Sequence, residues 1–200
     1  MKRITFSTGA VTLVIATLLH PAGSSLAATT EAVTNEDEQK RLRGEYLVTT
    51  SACNDCHTPW IMGPNGPEMD TSRKLSGHPE SLAVPTPPVL PEGPWQVMAF
   101  ETSTAWAGPW GISFTANLTP DRKTGLGKWT LRNFIETIRS GKHLGRGRDI
   151  LPPMPIAMYK HMTDEDLEAI FTYLQSLPAI SNQVPKPVPP VVAGSSETGQ

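Results

Sequence analysis

The sequence contains only two cysteines among its 200 residues, and this scarcity limits the kinds of site it can form. A zinc site with four sulfur ligands is excluded. After the first 19 residues, no apolar run approaches the roughly 20 residues that a membrane-spanning helix needs. Charged residues make up 18% of the chain and the formal net charge is −2, a balance that argues against a nucleic-acid partner.

Both cysteines stand in the run Cys53-Asn54-Asp55-Cys56-His57, the attachment signature of a covalently bound c-type haem. On a helical turn, positions i, i+3 and i+4 share one face, so both thiols and the imidazole point the same way. The thiols can then form thioethers to the porphyrin while His57 binds the iron. The alternatives are a thioredoxin-like redox pair, half a zinc site, or coincidence. No βαβ pattern surrounds the motif, as the thioredoxin interpretation requires. We therefore predict one haem c, with no thiol left for a disulfide.

A haem iron held by His57 has either a sixth ligand or an open site, and we predict Met154 as the ligand. Met154 lies in Leu151-Pro152-Pro153-Met154-Pro155, where the prolines predict a rigid loop. Rigidity matters because a thioether is a weak, neutral ligand. Met158 and Met162 are the nearest competitors, although core packing is the usual role of a methionine. The other possible ligands are the histidines, each predicted to be a solvated loop residue: His78, His143 and His161.

The N-terminus has the pattern of an export signal, which we assign to residues 1–27. Lys2 and Arg3 precede an apolar stretch, and Ser25-Leu26-Ala27 offers small residues at the positions that a signal peptidase inspects. The apolar stretch is shorter than a membrane span, and no nearby cysteine could carry a lipid. We expect a mature protein that begins near Ala28 and is soluble in the periplasm.

Three helices are predicted within a single domain at residues 28–178. The first covers about 35–51, and its central Gly44 is unfavourable for a helix unless another helix approaches closely there. The second covers about 130–140, between an N-cap at Thr130 and a C-terminal Gly141. The third begins at the Thr163 cap, and Pro178 stops it. The apolar face predicted for the first helix consists of Leu42, Tyr46 and Leu47.

Two regions of the chain lack such periodicity. Residues 58–113 are predicted to be a long irregular insert rich in Pro, Gly and Trp, in which only 94–100 or 111–115 could pair briefly as strands. Residues 179–200 are predicted to be a Pro-rich extended or disordered tail. The whole chain contains 20 prolines, about twice ordinary usage, and most of them fall in these two regions.

Between about Glu36 and Pro178, the chain resembles a class I cytochrome c. Its order of motifs is similar to single domains of the multihaem subunits that accept electrons from periplasmic alcohol, aldehyde and gluconate dehydrogenases. It departs from them in having one haem motif, and its insert is longer than a compact cytochrome needs. The motifs that carry the resemblance are Cys53–His57, Asn117–Asp121, Thr124–Trp129, Met154-Pro155 and Met162–Leu167.

The resemblance implies an all-α fold around one covalent haem, in which the first and last helices cross near the haem edge. It places His57 and Met154 as the axial ligands of the iron. At the helix crossing it implies contacts of Gly44 and Tyr46 with Phe171 and Leu174.

The predicted function is that of a soluble periplasmic monohaem cytochrome, an electron carrier rather than an enzyme. Its partners would be redox proteins such as a periplasmic dehydrogenase, an oxidase or another cytochrome. One alternative is a haem subunit bound permanently to a dehydrogenase or oxidase. Another is a haem enzyme such as a peroxidase, which an open sixth site would favour.

Overall fold

The computed structural model describes residues 24–86, 94 and 96–190, with side chains from residue 35 onward. The chain divides into two compact units, Met1–Asn35 and Glu36–Gln200, and the packing described below belongs to the second. The predicted export signal, residues 1–27, falls almost wholly outside the described residues and stays a prediction. Among the helices in the described part of the chain, none has both the length and the hydropathy to cross a membrane.

Five α-helices are present in the described residues: α1 (Ser24–Thr50), α2 (Cys53–His57), α3 (Leu131–Ser140), α4 (Ile156–Tyr159) and α5 (Asp164–Ser176). Two short 3₁₀ helices cover Thr71–Arg73 and His143–Gly145. Helix α1 begins before the predicted start near residue 35. Residues 24–32 contain Ala, Leu and Glu but neither Gly nor Pro, and this composition favours continuation of the helix.

The predicted caps of α3 and α5 are confirmed. Thr130 Oγ1 accepts a hydrogen bond from the backbone N–H of Asn133, and Gly141 ends α3 in the left-handed conformation at φ 67°. Thr163 Oγ1 accepts from the backbone N–H of Asp166 at 3.1 Å. The Asp166 carboxylate binds Arg43 of α1 at 2.9 Å, so it joins two helices as well as standing in the first turn of α5.

Helices α1 and α5 cross at Gly44, as its cost in helix propensity led us to expect. A Cβ atom at Gly44 would lie 1.9 Å from the backbone oxygen of Ala169 and 2.8 Å from Cβ of Tyr173. The residues nearest to Gly44 are therefore Ala169 and Tyr173 rather than the predicted Phe171 and Leu174. Tyr46 is 58% exposed and does not take part in the core.

The predicted apolar face of α1 is also corrected, because Leu42 is exposed whereas Leu47 and Val48 are buried. The helix turns 100° per residue, so positions 44, 47 and 48 share the side that meets α5 while 42 and 46 lie elsewhere. The core cluster combines side chains from α1, α3 and α5 with two loop leucines. Its buried members are Leu47, Val48, Leu75, Leu126, Phe134, Ile138, Leu167, Ala169, Ile170, Tyr173 and Leu174.

The prediction of an all-α fold with an irregular insert is wrong in one respect, because the insert region contains two small antiparallel sheets. Strands β1 (Trp60–Gly63) and β2 (Gly66–Met69) form one hairpin. Strands β3 (Met98–Ala99), β4 (Ala105–Gly108) and β5 (Gly111–Phe114) form a three-stranded sheet in that order. The fold of the described residues is therefore mostly helical with small sheets.

Strands of two to four residues are too short to show the alternation by which a sequence predicts a strand. The turns between the strands of the two hairpins, however, have a sequence pattern typical of hairpins. Gly63-Pro64-Asn65-Gly66 and Gly108-Pro109-Trp110-Gly111 each place a two-residue loop between flanking glycines, a spacing typical of hairpins.

After α5, residues 179–190 form an extended segment that we call the strap. Asn182 is fully buried, and its side-chain NH₂ donates to the backbone oxygens of Ser76 at 2.7 Å and His78 at 2.8 Å. Its side-chain oxygen accepts from Arg73 and from the backbone N–H of Glu80, both at 2.9 Å. Further along the strap, Val188 pairs with Ile112 of β5. This part of the predicted tail is extended and is anchored at Asn182 and Val188, and residues 191–200 lie outside the described residues.

Candidate functional site

The sequence run 53–57 folds as the short helix α2, directly after α1. Ala52 takes the left-handed conformation at φ 59° and separates the two helices. Cys53, Cys56 and His57 thus share one helical turn, and both thiols are free and half-buried. This is the arrangement in which two sulfurs and an imidazole can approach one flat group from the same side.

The thiols have the protonation expected of buried cysteines. Burial raises the pKa of Cys53 to about 11 and also raises that of Cys56. A thioredoxin-like redox pair requires the opposite, a thiol whose pKa is lowered so that the thiolate can attack. The described residues also contain no group of three His, Cys, Asp or Glu side chains suited to a metal ion. Neither the redox-pair nor the zinc alternative gains support from this geometry.

His57 is buried and held in a single orientation. Its Nδ1 donates to the backbone oxygen of Ala116 at 2.8 Å, and its own backbone oxygen accepts from Gly77 at 2.8 Å. Burial lowers the pKa of the imidazole, so the ring is neutral at pH 7. A hydrogen bond at Nδ1 fixes the tautomer and leaves Nε2 as the nitrogen that can bind a metal.

The Ala116 carbonyl is fixed in turn by the loop that follows it. Asn117 is buried, and its side-chain oxygen accepts from the backbone N–H of Thr119 at 3.0 Å and from its hydroxyl at 2.7 Å. The Asn117 NH₂ donates to the strap at Ile180 O, 2.8 Å away. The run Asn117–Asp121 that contributes to the cytochrome resemblance therefore has a structural role, which is to hold the acceptor of His57.

The three candidate methionines differ in their surroundings. Met154 and Met162 are half-buried against the core cluster, against which Cys53 also packs, whereas Met158 is 71% exposed. The backbone oxygen of Met154 accepts from the N–H of Ile156 at 2.9 Å, which joins the loop to the start of α4. Met158 is thereby weakened as a candidate ligand, while Met154 and Met162 keep apolar, half-buried positions.

Tyr159 connects α4 to the end of α1, immediately before the cysteine motif. Its hydroxyl donates to the backbone oxygen of Ser51, and burial raises its pKa to about 12. The phenol therefore stays neutral over the physiological range. The segment that carries Met154 and the segment that carries Cys53 are joined by this bond.

The histidine predictions are partly wrong. His78 was expected to be a solvated loop residue, but it is fully buried between Phe100 and Phe114. Its Nε2 donates to Leu82 O and its Nδ1 accepts from Thr104 Oγ1, both at 2.9 Å, so neither nitrogen is available to a metal. His143 and His161 are exposed, as predicted.

Sequence comparison with known proteins identifies relatives of this chain, although no family model matches it. The cytochrome subunit of fructose dehydrogenase from Gluconobacter japonicus is 26% identical over 151 residues, which cover 72% of this chain and 24% of that protein. The cytochrome c subunit of alcohol dehydrogenase (quinone) from Gluconacetobacter polyoxogenes is 26% identical over 171 residues, 86% of this chain and 26% of that protein. The chain is a distant homologue of dehydrogenase cytochrome c subunits.

A third relative, the gluconate 2-dehydrogenase cytochrome c subunit of Pantoea cypripedii, is 27% identical over 131 residues, 66% of this chain and 22% of that protein. The chain thus spans about a quarter of the length of these relatives. The predicted resemblance to the cytochrome c subunits of dehydrogenases is confirmed as distant homology over most of the chain.

The residues present fit a haem. Two thiols and a neutral, oriented imidazole on one helix are the donor set that c-type attachment requires. Trp106 adds an independent observation, because its indole N–H is buried and has no hydrogen-bond partner in the described structure. It lies opposite Ser113 in the β4–β5 pair, on the sheet face that contacts the Met154 loop. A haem propionate is an acceptor that would satisfy such a donor.

Several contributors to the site were missed at the level of sequence. The Ala116 carbonyl is a backbone group and gives no side-chain signal. Ser113 binds a backbone oxygen 39 positions away, and Tyr159 binds one 108 positions away. The side chain of Asn182 binds partners 102 to 109 positions away. Such partners are set by tertiary folding, and local periodicity carries no information about them.

Proposed function

We propose that this protein is a monohaem c-type cytochrome that passes single electrons as the haem-bearing component of a dehydrogenase complex in the periplasm. The observation that carries the proposal is α2, where Cys53 and Cys56 share a turn with a buried His57 whose Nδ1 is bound to Ala116 O. When bound, haem supplies a redox centre that gains and loses one electron.

Each residue of the site has a defined part in the proposal. Cys53 and Cys56 would hold the porphyrin through thioethers, because each S–H can add across one vinyl group without an oxidant. His57 Nε2 and the thioether sulfur of Met154 would be the protein ligands of the iron. The Met154 assignment is supported by its half-buried position and by the exposure of its competitor Met158.

The relatives favour a subunit over the free carrier that was the leading prediction from sequence. All three belong to dehydrogenases as cytochrome subunits, and the similarity to the alcohol dehydrogenase subunit extends over 86% of this chain. We therefore propose that the electron donor is a dehydrogenase and that the chain itself is not catalytic. The periplasmic location rests on the predicted export signal at residues 1–27.

Haem attachment is tested by extracting the purified holoprotein with acidified organic solvent. We expect the haem to stay on the polypeptide, and to stay in Cys53→Ala and Cys56→Ala through the remaining thioether. The double variant should release it. Free extraction of haem from the wild-type protein would contradict the proposal.

The subunit role is tested by isolating the native protein from its host at low ionic strength. We expect it to elute with a dye-reducing dehydrogenase activity, and its haem to be reduced when that dehydrogenase's substrate is added. Elution as a single chain whose haem stays oxidised would favour the free carrier. Substantial turnover of peroxide by the fully loaded protein would support the haem-enzyme alternative instead.

A further inference from the structure

The loop that carries Met154 can donate few backbone hydrogen bonds to the rest of the protein. Pro152, Pro153 and Pro155 lack backbone N–H groups, so three of the five residues from Leu151 onward cannot donate a backbone hydrogen bond. Their carbonyls can only accept. The position of this loop therefore depends on donors that come from elsewhere in the molecule.

One such donor is Ser113 of β5. Its hydroxyl donates to the backbone oxygen of Pro152 at 2.6 Å, two residues before Met154. The indole N–H of Trp110 donates to Ser113 Oγ at 3.3 Å, so one lone pair of the oxygen is occupied. A hydroxyl has one hydrogen to give, and the alternative acceptor, Trp106 O, is 3.4 Å away. The shorter bond goes to the loop.

Ser113 stands on a strand that is fixed along both of its edges. On one edge, β5 pairs with β4 in a register that sets Ser113 opposite Trp106. On the other edge, Ile112 exchanges two backbone hydrogen bonds with Val188 of the strap, each 2.9 Å long. Ser113 as a whole residue is 7% exposed. A buried donor on a doubly paired strand has little freedom to follow a moving loop.

We infer that Ser113 is a positioning residue for Met154, and that the three-stranded sheet of the insert holds the methionine loop where its thioether would bind the iron. The inference depends on the proposed Met154 ligation. A thioether is a weak ligand, so its occupancy of the iron depends on how firmly the protein holds it. Loss of the Ser113 bond leaves the Pro152 carbonyl without its donor and lets the loop move away more often.

The test measures how fast imidazole displaces the methionine ligand in the ferric holoprotein. In Ser113→Ala we expect displacement to be about tenfold faster, the factor that corresponds to about 1.4 kcal/mol and the upper range for one hydrogen bond. The charge-transfer band of thioether-bound ferric iron should weaken in parallel. Ser113→Thr keeps the hydroxyl and should restore the wild-type rate.

Ser176→Ala is the control for loss of a hydroxyl donor away from the loop, because Ser176 Oγ donates to the backbone oxygen of Tyr173 at 2.7 Å in α5. Ser176 is exposed, so its replacement should change neither the stability appreciably nor the displacement rate. If Ser113→Ala does not fold, Ser113→Cys decides, since its weaker S–H donor should give an intermediate rate. Equal rates in the Ser113 and Ser176 variants would overturn the inference.

The experiments distinguish a wrong assignment of Met154 as the ligand from a wrong role for Ser113. If Met154→Ala leaves the charge-transfer band and the imidazole kinetics unchanged, the ligand is not Met154 and the proposed site is wrong. If Met154→Ala abolishes the band while Ser113→Ala behaves as wild type, the ligand assignment stands and only the role of Ser113 is wrong.

Discussion

The crossing of α1 and α5 at Gly44 gives a prediction whose size can be worked out from the contact itself. In Gly44→Ala the new methyl group would lie 1.9 Å from Ala169 O, whereas real Cβ contacts are essentially never below 3.0 Å. The obstacle is backbone, which cannot rotate away, so the helices must separate by about 1 Å. Overpacking costs about 1–3 kcal/mol, and alanine gains about 1 kcal/mol of helix propensity over glycine. Because the obstacle is backbone, we use the upper end of the overpacking cost, about 3 kcal/mol. Subtracting the gain in helix propensity leaves a net loss of about 2 kcal/mol in unfolding free energy.

Urea denaturation of the holoprotein measures this loss. The midpoint should fall with an unchanged m value, and the melting temperature should drop by about 4–8 °C for a chain of this size. Thr49→Ala is the control, because Thr49 is exposed on the same helix and its replacement should shift stability by no more than about 0.5 kcal/mol. If Gly44→Ala is as stable as the wild type or more so, the close crossing of α1 and α5 is refuted.

Two further predictions concern the ligand and a buried histidine. Met154→Ala should lower the reduction potential and remove the thioether charge-transfer band, because methionine ligation raises the potential, while Met158→Ala should leave both unchanged. Burial lowers the pKa of His78 below 6.5, so the folded state resists its protonation. Its contribution to stability is therefore complete above pH 6.5 and is lost as pH falls towards the lowered value. The unfolding free energy of His78→Gln should depend less on pH between 7.5 and 5.5 than that of wild type or of the exposed His161→Gln, and equal slopes would contradict the assignment.

The helical part of the fold could be predicted because its signals are local. Thr130 and Gly141 bound α3, and Thr163 begins α5, each through contacts within a few residues. The same holds for the haem motif, whose five consecutive residues fold as one turn. Gly44 is an intermediate case. Its low helix propensity indicated that another helix approaches closely, but it did not identify the residues of that helix.

The remainder could not be predicted because its determinants are distant in sequence. From its sequence neighbours, His78 is predicted to be a loop residue. Its burial depends on Phe100, Thr104 and Phe114, which lie further along the chain. The packing of Asn182 depends on partners about a hundred residues earlier. The hairpins are the exception. Their Gly-Pro-x-Gly turns were visible in the sequence, but the strands beside them were too short to show the alternation that predicts a strand.

The strap has a consequence for the order in which the molecule is completed. Translation runs from the N-terminus, so residues 180–188 are synthesised after every segment that they bind, including the 73–80 loop, the 117–124 loop and β5. Cys53, Cys56 and His57 emerge long before them. While the chain is still growing, the loop behind His57 and the sheet beside the methionine loop both lack their last partner. The nascent protein is therefore open around its cysteines until residues 180–188 have been made.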